Sequence, residues 1–241
     1  MKLITIILSY YNQPRKMLEK HLTLWKYFPH HIQKYFTFIV IDDASRESIQ
    51  DFLSQKQYHQ LDLHLFQVQE DLYCNIAGVR NLGAVKTQTP FLLMLDMDTL
   101  VNKTMAEQLV KLAQNNINNQ LVFKFLRRTA DPQHPKNHTF HPAVCLIRKE
   151  DYWKIGGCEE DLVGHYGYTD PCFWLRAQGK VRIIFLRDII LLYDEEGEAD
   201  IDRDTTHNQK IYEDRRENNN WSDKYLRFKW EKLNIKDVSG Q

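Results

Sequence analysis

"FLLMLDMDTL", residues Phe91 to Leu100, opens with five apolar side chains and then sets two carboxylates, Asp96 and Asp98, one residue apart. A short apolar run without alternation predicts a strand buried on both faces, as in a sheet covered by helices. Ligands of such a sheet gather outside the carboxyl ends of its strands, which is where the two aspartates fall. Their i, i+2 spacing places both carboxylates on the same side of extended chain. Adjacent carboxylates repel, and a hard divalent cation, Mg²⁺ or Mn²⁺, relieves that repulsion while keeping positions for phosphates. The competing assignment is two surface aspartates at a strand end, or a cap for the next helix.

Working outward, the runs "KLITIILS", "TFIVID" and "LDLHLFQV" alternate with the amphipathic stretches "PRKMLEKHLTLWKYF", "ESIQDFLSQ" and "IAGVRNLGAVKTQ". Strand and helix in turn at this spacing predict an α/β fold with a mixed, mostly parallel sheet flanked by helices. In the first helix, Met17, Leu18, His21, Leu22, Leu24 and Trp25 mark the buried stripe. After Leu100 the sequence predicts a helix from Lys103 to Ala113, a strand "LVFKFL" and a polar loop "RRTADPQHPKNHTFHP". A strand "AVCLIR", a helix "KEDYWKI", the loop "GGCEEDLVGHYGYTD", a helix "PCFWLRAQG" and the strands "VRIIFL" and "IILLY" follow. The expected division is one domain over residues 1–193, with a nucleotide-binding type of half over 1–100. A charged extension over 194–241 has too few apolar positions for a core of its own and is expected to pack on that domain.

Lys plus Arg and Asp plus Glu both number 32, so no global charge points to nucleic acid or an anionic membrane, and a charged partner must be bound locally. No stretch approaches the roughly 20 apolar residues of a spanning helix. The N-terminus "MKLITIILSYYN" reads as a strand and not as a signal peptide. A soluble, cytoplasmic protein is expected, with peripheral membrane contact left open. The four cysteines form no CxxC pair, which predicts free thiols.

Other residues stand where chemistry would need them. "VIDDAS" ends its strand in Asp42 and Asp43, which suit either ribose hydroxyls and a base N–H or the capping of a helix. "NIAGVRNLG" offers Asn75 as a helix cap and, about one turn on, Arg80 for a phosphate or a carboxylate. His134, His138 and His141 invite a zinc site, but Pro135 and Pro142 deny the helical spacing it would use.

Taken in order, "ILSYYNQP", "IVIDDAS", "AGVRNLG", "LDMDT" and "GGCEEDLVGHYGYTDPCFWLRAQG" resemble a family 2 glycosyltransferase of the GT-A fold. The likeness is to catalytic domains of the chondroitin-polymerase and β-galactosyltransferase kind. It runs from Lys2 to about Gly179 and more weakly to Arg215. It implies metal-assisted, inverting transfer of a hexosyl or N-acetylhexosaminyl group from a nucleotide-sugar, with UDP favoured, to a hydroxyl of a glycan or other acceptor. Residues 101–193 then become the acceptor half, and the His-rich loop falls on the acceptor side.

By the same resemblance, Ser9, Tyr11 and Asp43 hold base and ribose, and Arg80 matches the Arg of the family's "RN.G" segment. Asp98 is the direct metal ligand, Asp96 reaches ribose or metal-bound water, and His207 is a further metal ligand in competition with Asp194. Asp170 corresponds to the general base, with helix capping as its structural alternative. The acid that precedes the base in the family is Thr169 here, which bears on acceptor contacts. His165, Tyr168 and Trp174, with Tyr166, offer faces for pyranose rings.

Two rival classes follow from the same residues. A haloacid-dehalogenase-like phosphatase also ends an apolar strand in Asp-x-Asp, but it wants Thr or Val where Leu100 stands, and its motif lies on the first strand. An inactive nucleotide-sugar or glycan-binding module accommodates Thr169. A sugar nucleotidyltransferase lacks its Gly-rich loop in "SYYNQPRK".

Overall fold

The computed structural model describes residues 1–53, 58–199 and 201–234. Strands β1 (Ile4–Tyr10), β2 (Phe36–Asp42), β3 (Leu63–Val68) and β4 (Phe91–Leu95) alternate with helices α1 (Arg15–Lys26), α2 (His30–Gln33), α3 (Ile49–Phe52) and α4 (Ile76–Lys86). The second half adds β5 (Thr99–Leu100), α5 (Lys103–Asn115), β6 (Leu121–Arg128), β7 (Phe140–Arg148), α6 (Lys149–Ile155), α7 (Thr169–Ala177), β8 (Arg182–Tyr193), α8 (Thr206–Asn218) and β9 (Trp230–Leu233). Among the described residues the strands form one sheet in the order β5-β8-β6-β7-β4-β1-β2-β3-β9. The helix expected over "ESIQDFLSQ" is seen as α3, and its last residues, Ser54 and Gln55, lie outside the described set.

β1 pairs in parallel with both β2 and β4, and β2 pairs in parallel with β3, so the strands of the first half run together. All five residues of β4 are buried, which is why its sequence shows no alternation. Helices cover both faces. Met17, Leu18, Leu22 and Trp25 of α1 share one core with Met105 and Leu109 of α5, and Trp25 stacks on Phe38 with ring centroids 4.7 Å apart. Val79 and Leu82 of α4 share the other core with Tyr152 and Phe173. There α4 lies so close to β1 that a Cβ on Gly83 would stand 3.0 Å from Ile7 Cδ1.

The second half departs from the parallel pattern. "AVCLIR" belongs to β7, which runs antiparallel to both β4 and β6. The strands expected as "VRIIFL" and "IILLY" are the single strand β8. Phe125 pairs with Leu186 but Leu126 pairs with Ile190, so Arg187, Asp188 and Ile189 are accommodated as a bulge. Residues that read as a turn between strands therefore interrupt the ladder without ending it.

The charged extension contributes α8 and β9, and β9 pairs antiparallel with β3. Its fastening explains the acidic run Glu159-Glu160-Asp161. Arg215 pairs with Glu159 and, at 2.5 Å, with Asp161, and Glu160 accepts the Leu226 and Arg227 backbone N–H groups. No helix among the described residues is long and apolar enough to cross a membrane.

Candidate active site

A cavity of about 330 Å³ opens at the carboxyl ends of β1, β2 and β4 and is lined by residues of both halves. Ser9, Tyr11, Asp43, Arg80, Asp96, Asp98, Tyr168 and Asp170, all singled out in the sequence, line it together. His165, Trp174 and His207 are not among its lining residues.

The two aspartates of the opening stretch sit on the turn from β4 to β5. Thr99 N–H donates to Asp96 O at 3.0 Å, and Thr99 Oγ1 donates to Asp98 Oδ1 at 2.8 Å. Behind the turn, His21 is fully buried and its Nε2 donates to Met97 O at 2.8 Å. Burial lowers its pKa to about 4, so the ring stays neutral and serves as a fixed prop. From the other side, a Cβ on Gly197 would stand 2.5 Å from the Asp98 backbone, a contact only glycine allows.

Arg80, 5% exposed, joins the halves of the site. Its Nη2 donates to Asp96 Oδ1 at 2.8 Å and its Nη1 to Asp170 Oδ1 at 2.7 Å. Burial opposes its charge, but Asp170 first and Asp96 next hold the guanidinium protonated, well above its usual pKa. Of the two partners expected for this residue, a phosphate or a carboxylate, the structure shows carboxylates, two of them. Asp170 lies in the first turn of α7, whose cap position is Tyr168. Its Oδ1 is engaged by Arg80, and the carboxylate does not cap the helix. Asn75 does stand at the cap position of α4, but its side chain makes no capping bond.

His141, which the sequence groups only with His134 and His138, joins the aspartates. Met94 pairs with Cys145 in the antiparallel ladder; beyond the end of β4 the chain turns through Asp98, and His141 lies four residues from Cys145 toward the start of β7. Potential ligand atoms of Asp96, Asp98 and His141 lie within 4.8 Å of one another. His141 Nε2 is buried without a hydrogen-bond partner, 3.5 Å from Asp98 Oδ1. Two carboxylates and an imidazole suit Mn²⁺ or Mg²⁺, and the orphaned nitrogen aimed at Asp98 fits that use. Nδ1 receives the Ala143 and Val144 N–H groups at 3.2 and 3.1 Å, and these long contacts must relax for Nδ1 to carry the proton when Nε2 ligates. The other expected ligand, His207, is exposed and stacked on His165, with centroids 3.7 Å apart. Asp194 pairs with Lys20.

The acidic pair of β2 divides its roles. Asp42 accepts the Ser45 and Ile49 N–H groups at 2.9 and 3.1 Å, the capping function. Asp43 faces the cavity, with Oδ2 accepting Asn75 N–H at 3.2 Å and Oδ1 buried and unpaired. Burial raises its pKa to about 7. Both polar atoms of the Asn75 amide are also buried and unpaired.

Tyr168 and Tyr73 line the cavity with φ of 61° and 67°. Left-handed backbone at a tyrosine costs about 1 kcal/mol or more, and surrounding packing must hold it. Tyr73, Arg127, Lys136, His141 and Tyr193 are lining residues that spacing did not reveal. Trp174 instead donates Nε1–H to Pro142 O at 2.8 Å, under Lys124 Nζ at 4.1 Å. Cys145, Cys158 and Cys172 are buried free thiols, and Cys74 is half-buried.

Comparisons with known proteins agree with this architecture. A search of curated protein sequences returns no match. S. aureus TarS 1-349 superposes with a TM-score of 0.62 at 18% identity, over 80% of this chain and 60% of that one. GalNAc-T7, solved with UDP, GalNAc and Mn²⁺, gives 0.62 at 13% identity over 80% of this chain and 44% of its own. The mannosyltransferase PcManGT from Pyrobaculum calidifontis, solved with GDP-Man and Mn²⁺, gives 0.60 at 16% identity over 88% and 61%. The chain therefore spans less than two thirds of each of these proteins, and at such identities they speak for the GT-A fold alone. The sequence itself matches the glycosyl transferase family 2 model over residues 5–178, well over half of the chain, and the protein belongs to that family.

Proposed function

We propose that the protein is a metal-dependent, inverting glycosyltransferase that moves a sugar from a UDP-sugar to a hydroxyl of a glycan or similar acceptor. The observation that carries this is Arg80, which ties the Asp96 side of a divalent-cation cluster to Asp170 in one cavity. Asp96, Asp98 and His141 would hold the cation. When bound, it neutralises charge on the leaving diphosphate as a Lewis acid.

The chain's own groups do the rest. Asp43 Oδ1 accepts a base N–H, and the Asn75 amide donates to a neighbouring carbonyl. An N–H flanked by carbonyls is the edge of uracil. Arg80 fixes one oxygen of Asp170, and Oδ2, which has no hydrogen bond among the described residues, takes the proton of the acceptor hydroxyl. The acceptor oxygen attacks the anomeric carbon opposite the diphosphate, which inverts that centre. Tyr166 and Tyr168, which line the cavity, serve the acceptor sugar. Residues 1–100 serve the donor, 101–193 the acceptor, and the segment after 193 completes the rim through Gly197 and Glu198.

Incubation with a panel of nucleotide-sugars and Mn²⁺ tests this. Slow release of free nucleotide from a UDP-sugar, abolished by a chelator, is expected. Turnover of simple phosphate esters without turnover or binding of any nucleotide-sugar overturns it.

The base contact carries a pH dependence. A carboxyl group with a raised pKa holds its proton below about 7 and accepts an N–H only above it. Uridine, which has no phosphate to titrate, binds about tenfold more tightly at pH 8 than at pH 5.5. In Asp43→Asn that dependence is flat, as calorimetry at the two pH values would register.

A further inference from the structure

One wall of the cavity takes no part in the reaction described above. Lys136 donates to Glu198 Oε1 at 2.7 Å and to Tyr193 Oη, and Arg203 Nη2 donates to Glu198 Oε2 at 2.6 Å. Tyr193 Oη also bonds Glu198. The Arg127 guanidinium lies 5.3 Å from the Tyr193 ring centre, with Nε on Thr139 Oγ1 at 3.0 Å, and has no ion pair among the described residues. Two cations therefore hold one carboxylate, a third, Arg127, stands against the Tyr193 ring beside them, and all of these groups except Thr139 line the cavity. Each oxygen of Glu198 is held by its own cation, the arrangement in which two such donors also hold two phosphoryl oxygens.

The wall adjoins the cation cluster. Tyr193 pairs with Thr99 across β8 and β5, and its ring lies 6.4 Å from that of His141. Glu198 is delivered there by a fixed backbone, with Asp194 N–H donating to Asp98 O at 2.7 Å and Gly197 packed on the Asp98 backbone. Burial pushes the Glu198 pKa up, but Lys136, Tyr193 and Arg203 hold it down to about 2. Near neutral pH the carboxylate therefore stays charged, so protonation does not free its seat.

We infer that Lys136, Arg203 and Arg127 form a phosphoryl-binding seat in which the Glu198 carboxylate is a tethered occupant, displaced when a phosphate-bearing ligand enters. Two sources share that chemistry, the diphosphate of the donor and a phosphate on the acceptor. Both rest on the function proposed above, whereas binding of inorganic phosphate alone does not.

The test compares wild type, Glu198→Gln and Lys136→Met by calorimetry with Mn²⁺ present, using UDP, uridine and, with UDP already saturating, inorganic phosphate. Glu198→Gln keeps shape and removes the competing charge. If the seat takes the donor diphosphate, UDP binds roughly five- to tenfold more tightly to Glu198→Gln and correspondingly more weakly to Lys136→Met, while uridine is unchanged. If it takes an acceptor phosphate, UDP affinity is constant and inorganic phosphate shows the same pattern. Unchanged affinity for both UDP and inorganic phosphate in both variants, at unaltered melting temperature, overturns the seat. Failure of wild type to bind UDP at all counts against the UDP-sugar function instead, and the phosphate arm without UDP then decides the seat.

Discussion

Asp170→Asn lowers the turnover of sugar transfer by about a thousandfold and leaves UDP affinity within about a factor of two. The geometry dictates this separation. The amide of that variant retains an oxygen for Arg80 Nη1, so the guanidinium stays in place and continues to hold Asp96 at 2.8 Å. The lost property is the ability of the second oxygen to accept a proton as the acceptor attacks. Steady-state turnover and a UDP titration on the same preparation make the comparison. A variant that transfers at the wild-type rate places the base elsewhere. One that loses turnover and UDP binding together assigns Asp170 to the donor through Arg80.

Asp98→Ala acts at the other end of the same network. It removes the carboxylate that lies nearest the orphaned His141 Nε2, leaving Asp96, already engaged by Arg80, and one imidazole. Mn²⁺ affinity, followed by the paramagnetic signal of the free ion, falls by roughly a hundredfold or more, and metal-dependent UDP binding goes with it. His207→Ala provides the contrast. Its ring stacks on His165 outside the cavity, so Mn²⁺ affinity is unchanged in that variant. The opposite ranking, with His207 essential and Asp98 dispensable, would move the cation out of the cavity toward His165.

What the sequence discloses and what it does not divide along physical lines. The run Phe91 to Leu95 shows its burial on both faces directly, and the pair Asp96 and Asp98 is legible as a pair at the strand's end, although a turn and not the two-residue period of extended chain brings the two carboxylates together. Asp43 directly follows the end of β2, and Arg80 lies about one turn into α4, both at places that local patterning marks. His141 depends on a register between β4 and β7, and no local pattern announces a partner so far along the chain. It is hidden also by its company, since His134, His138 and two prolines give the stretch the look of a loop. His207 fails in the reverse sense: sequence order after the last strand does not fix direction, and α8 turns the ring toward His165. The β8 bulge reads as a turn because Arg187 and Asp188 are polar in an apolar run, and polarity at an exposed position marks a turn and a bulge alike. Glu198 and Lys136 come from two irregular segments whose meeting only the folded chain defines.

In the proposed function, donor binding rests on Asp96, Asp98 and His141 holding a divalent cation that engages the nucleotide diphosphate. Calorimetric titration of UDP into the wild-type protein, once with Mn²⁺ and once with a chelator, addresses this directly. The predicted result is binding at least about tenfold tighter with Mn²⁺. Equal affinity in the two titrations would contradict it.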